Sequence, residues 1–541
     1  MSSLELAGGP GVRSDNFRRL AVLFPAIALL AGCGSLPKRP PEKPSAALQE
    51  NTDATFLGRA FKPVVDQHPG LSGVYPLDRG VDAFAARMVL ARTAERSLDA
   101  QYYIWHPDDT GKLLANELIR AADRGVHVRL LLDDFGSIPS DENLLALNSH
   151  TNIEVRLFNP LVNRSFGRLG QIFEFGRFNR RMHNKSFTVD NQVTLVGGRN
   201  IGDEYFGGGD SVEFADFDVI AVGPVVKEAA SSFDLYWRSP SSIPITSLTR
   251  KTASEEWARE QWADLAARCE KLRNSSYVRA VRDSSLLTEL RERELDFFWG
   301  RAWLAYDLPD KVTSSLEDRS RFLTSQLAPV VAATDCEVLI VSAYFVPGPS
   351  GLKFFEDLRK RGIRVVIVTN SLAATDVAAV HSGYRRYRKA LLRAGVELYE
   401  FKPTASLKEP SPKNKSAGGS SPGASRASLH AKTFVFDRRT TFVGSLNLDP
   451  RSTTLNTENG AVLEIPELAA RTAEEIERTA LSNCYRLEFV PGPGPCRECG
   501  QVNWVTEENG KVVRYTREPE AGFGRRFLVG LLSFLPLESQ L

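Results

Sequence analysis

The chain alternates between short, nearly all-apolar runs and longer stretches whose apolar residues recur every three or four positions. Runs such as SLDAQYYIW (residues 97–105), ADRGVHVRLLLDD (122–134) and NIEVRLFNP (152–160) predict strands buried on both faces. The stretches between them predict amphipathic helices that cover those faces. The same order returns later, where EVLIVSAYFVP (337–347), RKRGIRVVIVTN (359–370) and GVELYEFKP (395–403) parallel the first three runs. In each half a strand, a helical stretch, an Arg-Gly turn, a second strand, a helix and a third strand lead to a hairpin. This predicts an α/β protein of two domains, each a mixed sheet flanked by helices, related by a pseudo-twofold axis with a site at their interface. A chain of 541 residues is ample for two such cores.

The two hairpins carry one pattern. HNKSFTVDNQVTLVGGRN (183–200) and HAKTFVFDRRTTFVGSLN (430–447) both read H-x-K-x4-D-x6-G-x-x-N. On a strand, residues two apart share a face, which sets His183 beside Lys185 and His430 beside Lys432. Asp190 and Asp437 fall at turns, where a structural role is expected. The return strands end in small residues that let the backbone come close, delivering Asn200 and Asn447 back toward the His/Lys edge. One copy holds a nucleophile or a base, not both. Two copies facing each other supply a neutral imidazole to attack and an imidazolium to protonate a leaving group. Two lysines and two asparagines can then hold the non-bridging oxygens of a phosphodiester. No metal or cofactor is required, because the cations are in the protein.

The doubled pattern resembles the HKD signature of the phospholipase D superfamily. Its surroundings resemble a narrower group, the bacterial cardiolipin synthase C-type proteins, through SLDAQYYIW, RRMHNKSFTVD, VGGRNIGDEYFG, SAYFVP, LAATDVAAVHSGY, SLHAKTF and LDPRSTTLNTE. The resemblance implies two phospholipase D-like domains, with His183 as nucleophile and His430 as general acid/base; the residues themselves do not rank the two. It also implies a carboxylate behind each histidine, supplied by the opposite half. Glu458 is expected behind His183, and Asp218 in FADFDVIAVG behind His430, with Asp216 the alternative. A carboxylate on Nδ1 would fix the tautomer and free Nε2 for phosphorus. Tyr102, Tyr103 and Tyr344 are core residues by default and substrate contacts by analogy. A helix carrying His381, Arg385, Arg386, Arg388, Lys389 and Arg393 has a basic face that is either solvated or binds anionic head groups.

Residues 18–33, RRLAVLFPAIALLAGC, have a signal-peptide plan: two arginines, a short apolar run, then a small-residue site. Leu30-Ala31-Gly32-Cys33 resembles a lipobox, so the expected mature protein starts at a lipidated Cys33, membrane-anchored and facing the periplasm, on the inner or outer membrane. An uncleaved N-terminal anchor is the alternative. The expected organisation is leader 1–32, flexible tether 33–75, first domain 76–240, helical connector 241–325, second domain 326–480 with a disordered insertion at 404–428, and C-terminal extension 481–541. The apolar run 527–537 reads equally as an interfacial segment or a docked helix. With export, a disulfide among Cys484, Cys496 and Cys499 is favoured over zinc.

The resemblance implies a phosphatidyltransferase that forms cardiolipin through a phosphatidyl-histidine, acting as a monomer on anionic and zwitterionic phospholipids at a membrane surface. The alternative is a phospholipase D releasing phosphatidic acid. A nuclease of the same signature is disfavoured by a net charge of only +2, so no nucleic acid is expected. Two complete signatures argue against a non-catalytic lipid-binding lipoprotein.

Overall fold

The computed structural model describes residues 51–136, 140–161, 175–208, 212–249, 251–292, 295–315, 318–405, 426–492, 500–508, 510–535 and 538–541. The leader, Cys33, Cys496, Cys499 and residues 406–425 of the expected insertion lie outside the described residues.

The first half contributes β1 (Ser72–Leu77), β2 (Ser97–Tyr102), β3 (His127–Asp133), β4 (Ile153–Phe158), β5 (Ser186–Val189), β6 (Val193–Gly197), β7 (Val212–Ala215), β8 (Asp218–Val222) and β9 (Ser242–Pro244). The second contributes β10 (Phe298–Tyr306), β11 (Glu337–Ser342), β12 (Arg364–Asn370), β13 (Glu397–Phe401), β14 (Arg426–Leu429), β15 (Lys432–Phe436), β16 (Thr440–Gly444), β17 (Asn459–Glu464) and β18 (Cys484–Val490). Strands pair in the order β9-β4-β3-β2-β5-β6-β8-β1 in the first half. The order β18-β13-β12-β11-β15-β16-β17-β10 repeats it in the second. β1 and β10 then pair antiparallel, Ser72 opposite Gly300, and fuse both halves into one sheet. Within this sheet, among the described residues, β2-β3-β4 and β11-β12-β13 are the parallel sets, and these are the apolar runs read from the sequence.

The central parallel strands β3 and β12 each feed two cores because their side chains alternate. Leu130 and Leu132 pack with Leu114 and Leu118 of the helix Asp109–Asp123, while Leu131 packs with Phe233 and Trp237 of the helix Pro224–Arg238. In the second half Val365 and Ile367 face Phe355 and Leu358 of the helix Gly348–Lys360. Val366 and Val368 face Ala469, Ala473 and Ile476 of the helix Pro466–Asn483. The buried Arg129 lies within this packing, held by Asp99 at 2.6 and 2.7 Å and by Asp234 at 2.8 Å.

Several expected boundaries move. The tether does not reach residue 75: Phe56–Val65 is a helix whose Leu57, Phe61 and Val65 pack on the first core, and β1 already starts at Ser72. The connector has its helices (Glu255–Leu272, Ser276–Arg282, Ser285–Glu292), but it also holds β10, the strand that joins the halves. Residues 426–428, assigned to a disordered insertion, form β14 and pair in parallel with β7. The C-terminal extension is not separate, since β18, β19 (Gln501–Glu508) and β20 (Lys511–Tyr515) continue the second half's sheet. Among the described residues Cys484 is a buried free thiol, and no helix is long and apolar enough to cross a membrane.

Candidate active site

The backbone around each histidine is stitched to the opposite half. His183 N–H donates to the Thr457 carbonyl (2.8 Å) and Thr457 N–H to that of Arg181 (2.9 Å). In the other copy His430 and Ala431 donate to the Ala215 carbonyl at 2.8 and 3.0 Å. The next residue in each case is the carboxylate. His183 Nδ1 lies 2.8 Å from Glu458 Oε2, and His430 Nδ1 lies 2.6 Å from Asp216 Oδ2. Asp216, not Asp218, therefore supports His430.

Register explains the correction. β6 and β8 pair Gly197 with Asp218, and β16 and β17 pair Gly444 with Gly460. Asp218 thus corresponds to Gly460, and Asp216, two residues earlier, corresponds to Glu458. Asp218 instead sits at zero exposure against Arg87 (2.9 Å) and Arg199 (3.6 Å). Spacing along the chain hides this equivalence, because Glu458 follows Asn447 by 11 residues and Asp216 follows Asn200 by 16; the sheet register supplies it.

The remaining pattern residues divide into groups near the reaction and groups that frame it. Lys185 Nζ donates to the His183 carbonyl (2.6 Å) and Lys432 Nζ to the His430 carbonyl. Asn200 Oδ1 accepts from Ile104 N–H (3.1 Å) while its Nδ2 donates to the Tyr205 hydroxyl (3.0 Å). Asn447 Oδ1 likewise accepts from Tyr344 N–H at 3.3 Å. Asp190 and Asp437 take left-handed turn conformations at φ 51. Asp190 receives the backbone N–H groups of Glu95, Arg96 and Ser97, and Asp437 those of Asp335, Cys336 and Glu337.

Electrostatics separate the two copies. Burial, then the charges of Lys185, Lys432 and His430, hold His183 well below its usual value. Burial and Lys432 lower His430 too, opposed by Asp216. Burial brings Lys185 down to about 7 and Lys432 to about 8. Glu458 is pushed up to about 7 by burial, against the pull of Lys185 and a hydrogen bond from Ser445. Burial also opposes the charge on Asp216, but His430, Lys432 and Arg199 outweigh it and hold that carboxyl below the ordinary range.

Sequence reasoning missed several neighbours. Tyr205 and Phe214 sit with ring centroids 5.1 and 5.0 Å from His430. Asp307 receives Glu458 N–H at 2.9 Å and pairs with Lys311 at 3.0 Å. Only Tyr205, close behind Asn200 in the quoted GRNIGDEYFG string, had a local signal. Tyr103 lies 5.0 Å from His183 edge-on, Tyr344 donates to Asp376 (2.7 Å) beside Asn447, and Tyr102 is core, bonded to Arg87. The basic helix is two helices, Ala378–Arg385 and Arg388–Arg393, and not one open face. His381 is buried with Nε2 3.1 Å from Glu518, and Arg388 is buried between Glu400 (2.8 Å) and Glu518 (2.6 Å). Arg385, Lys389 and Arg393 remain exposed. Among the described residues, one His/acid group could hold a metal, formed by His106, Asp108 and Glu204. His106 and Glu204 already pair at 3.1 Å, and Asp108 caps the helix Asp109–Asp123.

Comparison with known proteins agrees with this duplicated architecture. The family model described as cardiolipin synthase, PLD-like domain, matches residues 89–237 and 331–480, one match per half. Cardiolipin synthase C of Escherichia coli K12 is 43% identical over 486 residues, covering 89% of this chain and 99% of the relative. Cardiolipin synthase B of the same organism is 23% identical over 412 residues, covering 76% of this chain and 81% of that protein. Among solved structures, a phosphatidylserine synthase of Haemophilus influenzae Rd KW20 shares the fold, with a TM-score of 0.55 at 12% identity, over 89% of this chain and 99% of that one. With one matched domain in each half, each holding one complete copy of the His/Lys/Asp pattern, the chain belongs to the phospholipase D-like cardiolipin synthase family.

Proposed function

We propose that the protein is a phosphatidyltransferase that joins two phospholipids into cardiolipin. The observation that carries this reading is the reciprocal pairing of His183 with Glu458 and His430 with Asp216, each across the two halves. Donation of Nδ1–H to a carboxylate leaves each Nε2 free for chemistry. His183 Nε2 attacks the phosphorus of the donor; a P–N bond forms, the P–O bond to the head-group alcohol breaks, and His430 gives that oxygen its proton. His430 then takes the proton of a phosphatidylglycerol hydroxyl, whose oxygen forms the new P–O bond as the P–N bond breaks. Lys185 and Lys432 neutralise the non-bridging oxygens through both transfers.

The charge asymmetry supports giving attack to His183. An ionised Asp216 favours the imidazolium of His430, while a Glu458 of raised pKa leaves His183 neutral. The 43% identity with a cardiolipin synthase C supports lipid substrates. The leader reading adds a lipid anchor at Cys33 and a periplasmic site. Because the two lysines supply the positive charge, EDTA is expected to leave the rate unchanged.

The test incubates the protein with vesicles of phosphatidylglycerol and phosphatidylethanolamine and reads products by mass spectrometry. Cardiolipin that disappears in both His183→Ala and His430→Ala is the expected result, with a trapped phosphatidyl adduct on His183 in His430→Asn. Phosphatidic acid alone would make the enzyme a phospholipase D, and no lipid product would remove the reading.

A further inference from the structure

The helix Phe523–Leu532 and the segment after it are built inside out. Phe523, Phe527, Leu531 and Phe534 fall on one helical stripe, yet their side chains are 83%, 65%, 55% and 87% exposed. The rings of Phe523 and Phe527 stack on each other at 6.4 Å. Val529, on the inner side, is fully buried with Leu372, Ala373 and Ala521. The arginines face inward as well: Arg525 donates to the Thr375 carbonyl and Arg526 to that of Glu518 (2.8 Å). Polar groups dock this helix and aromatic groups face solvent, the reverse of an ordinary surface helix.

The helix is held at the rim of the catalytic cleft. It packs on the helix Ala378–Arg385 and on the loop that carries Asp376, which accepts the Tyr344 hydroxyl beside Asn447. The following residues cross toward the first half. Arg386 holds the Leu535 carbonyl (3.1 Å), Asn179 donates to Gln540 (2.5 Å) and Arg451 N–H donates to the Leu541 carbonyl (2.7 Å). Asn179 lies just before the first catalytic histidine and Arg451 just after the second pattern. On the opposite rim the exposed Phe135 packs edge-on against Phe178 (4.7 Å), and Gly136 abuts the carbonyl of Tyr103, the residue beside His183. Cationic side chains accompany the stripe: the exposed Arg386 donates to the Ser533 and Leu535 carbonyls on either side of Phe534, and Arg385 is exposed on the helix Ala378–Arg385 that supports it.

We infer that Phe523, Phe527, Leu531 and Phe534 insert into the interfacial layer of a phospholipid bilayer and seat the cleft at head-group depth. This inference rests on the phosphatidyltransferase reading, and the occupant is a bilayer for two reasons. The substrates of that reaction present their phosphodiesters only at the interface, and aromatic residues flanked by cations match that layer. The helix docks on the second half and the chain end is tied to Asn179 of the first, which sets the height of the two histidines above the acyl chains.

The experiment uses the full chain with Phe527→Trp, with Leu481→Trp as the control at an exposed site outside the stripe. Each is mixed with vesicles of equal phosphatidylglycerol and phosphatidylethanolamine carrying brominated acyl chains, and emission is read as the difference from the unsubstituted chain. Quenching at 527 and none at 481 is expected. The triple variant Phe523→Asp, Phe527→Asp, Phe534→Asp is expected to lose about tenfold or more of its rate on vesicles while keeping its rate on monomeric short-chain phosphatidylglycerol. An unquenched Trp at 527, or an unchanged vesicle rate in the triple variant, would overturn the inference. So would a concentration-dependent dimer that the triple variant dissolves while its flotation with the same vesicles stays unchanged. If residue 527 is quenched but no phospholipid is turned over in any form, the surface stands and the proposed reaction falls.

Discussion

At the scale of single residues, Asp216 and Glu458 occupy equivalent places behind the two histidines but meet different neighbours. Ser445 donates to Glu458, whereas its counterpart Gly198 has no side chain, and a Cβ there would lie 2.2 Å from Asp216 Oδ1. Asp216→Asn keeps the shape but removes the charge that stabilises the His430 imidazolium, so kcat is expected to fall by about a hundredfold or more. Asp218→Asn should do something different. It leaves Arg87 and Arg199 buried beside a neutral amide, costing about 3–5 kcal/mol and lowering Tm, with little loss of rate per folded molecule. Thermal melts and kcat measured on both variants separate the two aspartates. The pH profile follows from the same groups. As the proposed nucleophile His183 must be neutral, and its pKa is held down, so the acidic limb should lie below the ordinary histidine value. Lys185 and Lys432 lose their protons near 7 and 8, so the rate should fall as pH rises through that range. A plateau extending well above pH 8 would remove the lysines from charge neutralisation.

At the scale of elements, the hairpins owe their placement to the aspartate in each pattern. Asp190 and Asp437 sit in the left-handed region and bind the N–H groups that open β2 and β11. They lock the catalytic hairpin to the neighbouring strand without touching the histidines. Asp190→Ala is expected to cost about 3 kcal/mol, and the more exposed Asp437→Ala about 1–2 kcal/mol, both read by denaturant unfolding. This role was legible in the sequence, because Asp-Asn and Asp-Arg between two β-rich runs mark a tight turn. Strand identity was legible as well: RLLLD holds a continuous apolar run and VVIVTN is rich in β-branched residues. β10 was not. FWGRAWLAY follows the charged helix Ser285–Glu292, and its alternation gains meaning only when β1 and β17 are there to pair with it. β14 was hidden likewise, since the strand it pairs with, among the described residues, is β7 of the other half.

At the scale of the whole molecule, the C-terminal strands and helix are tied into the second half by charge. Glu518 meets His381 and Arg388, and Arg388 also meets Glu400, all buried. Glu518→Ala leaves a buried guanidinium short of one partner and is expected to lower stability by about 3 kcal/mol or more, seen as a fall in Tm. Local periodicity could not find this cluster, because its members come from residues 381, 388, 400 and 518. The duplicated fold, the histidines, the lysines and the turn aspartates were determined by the sequence alone: apolar runs of fixed period and a repeated short-range spacing need no partner to be read. The choice of Asp216 over Asp218, the contacts of Tyr205 and Phe214 with His430, and the outward face of the C-terminal helix were decided only by tertiary structure. Each depends on which distant backbone supplies the neighbouring register or covers the opposite face, and such pairings are set by packing between halves, not by neighbours along the chain.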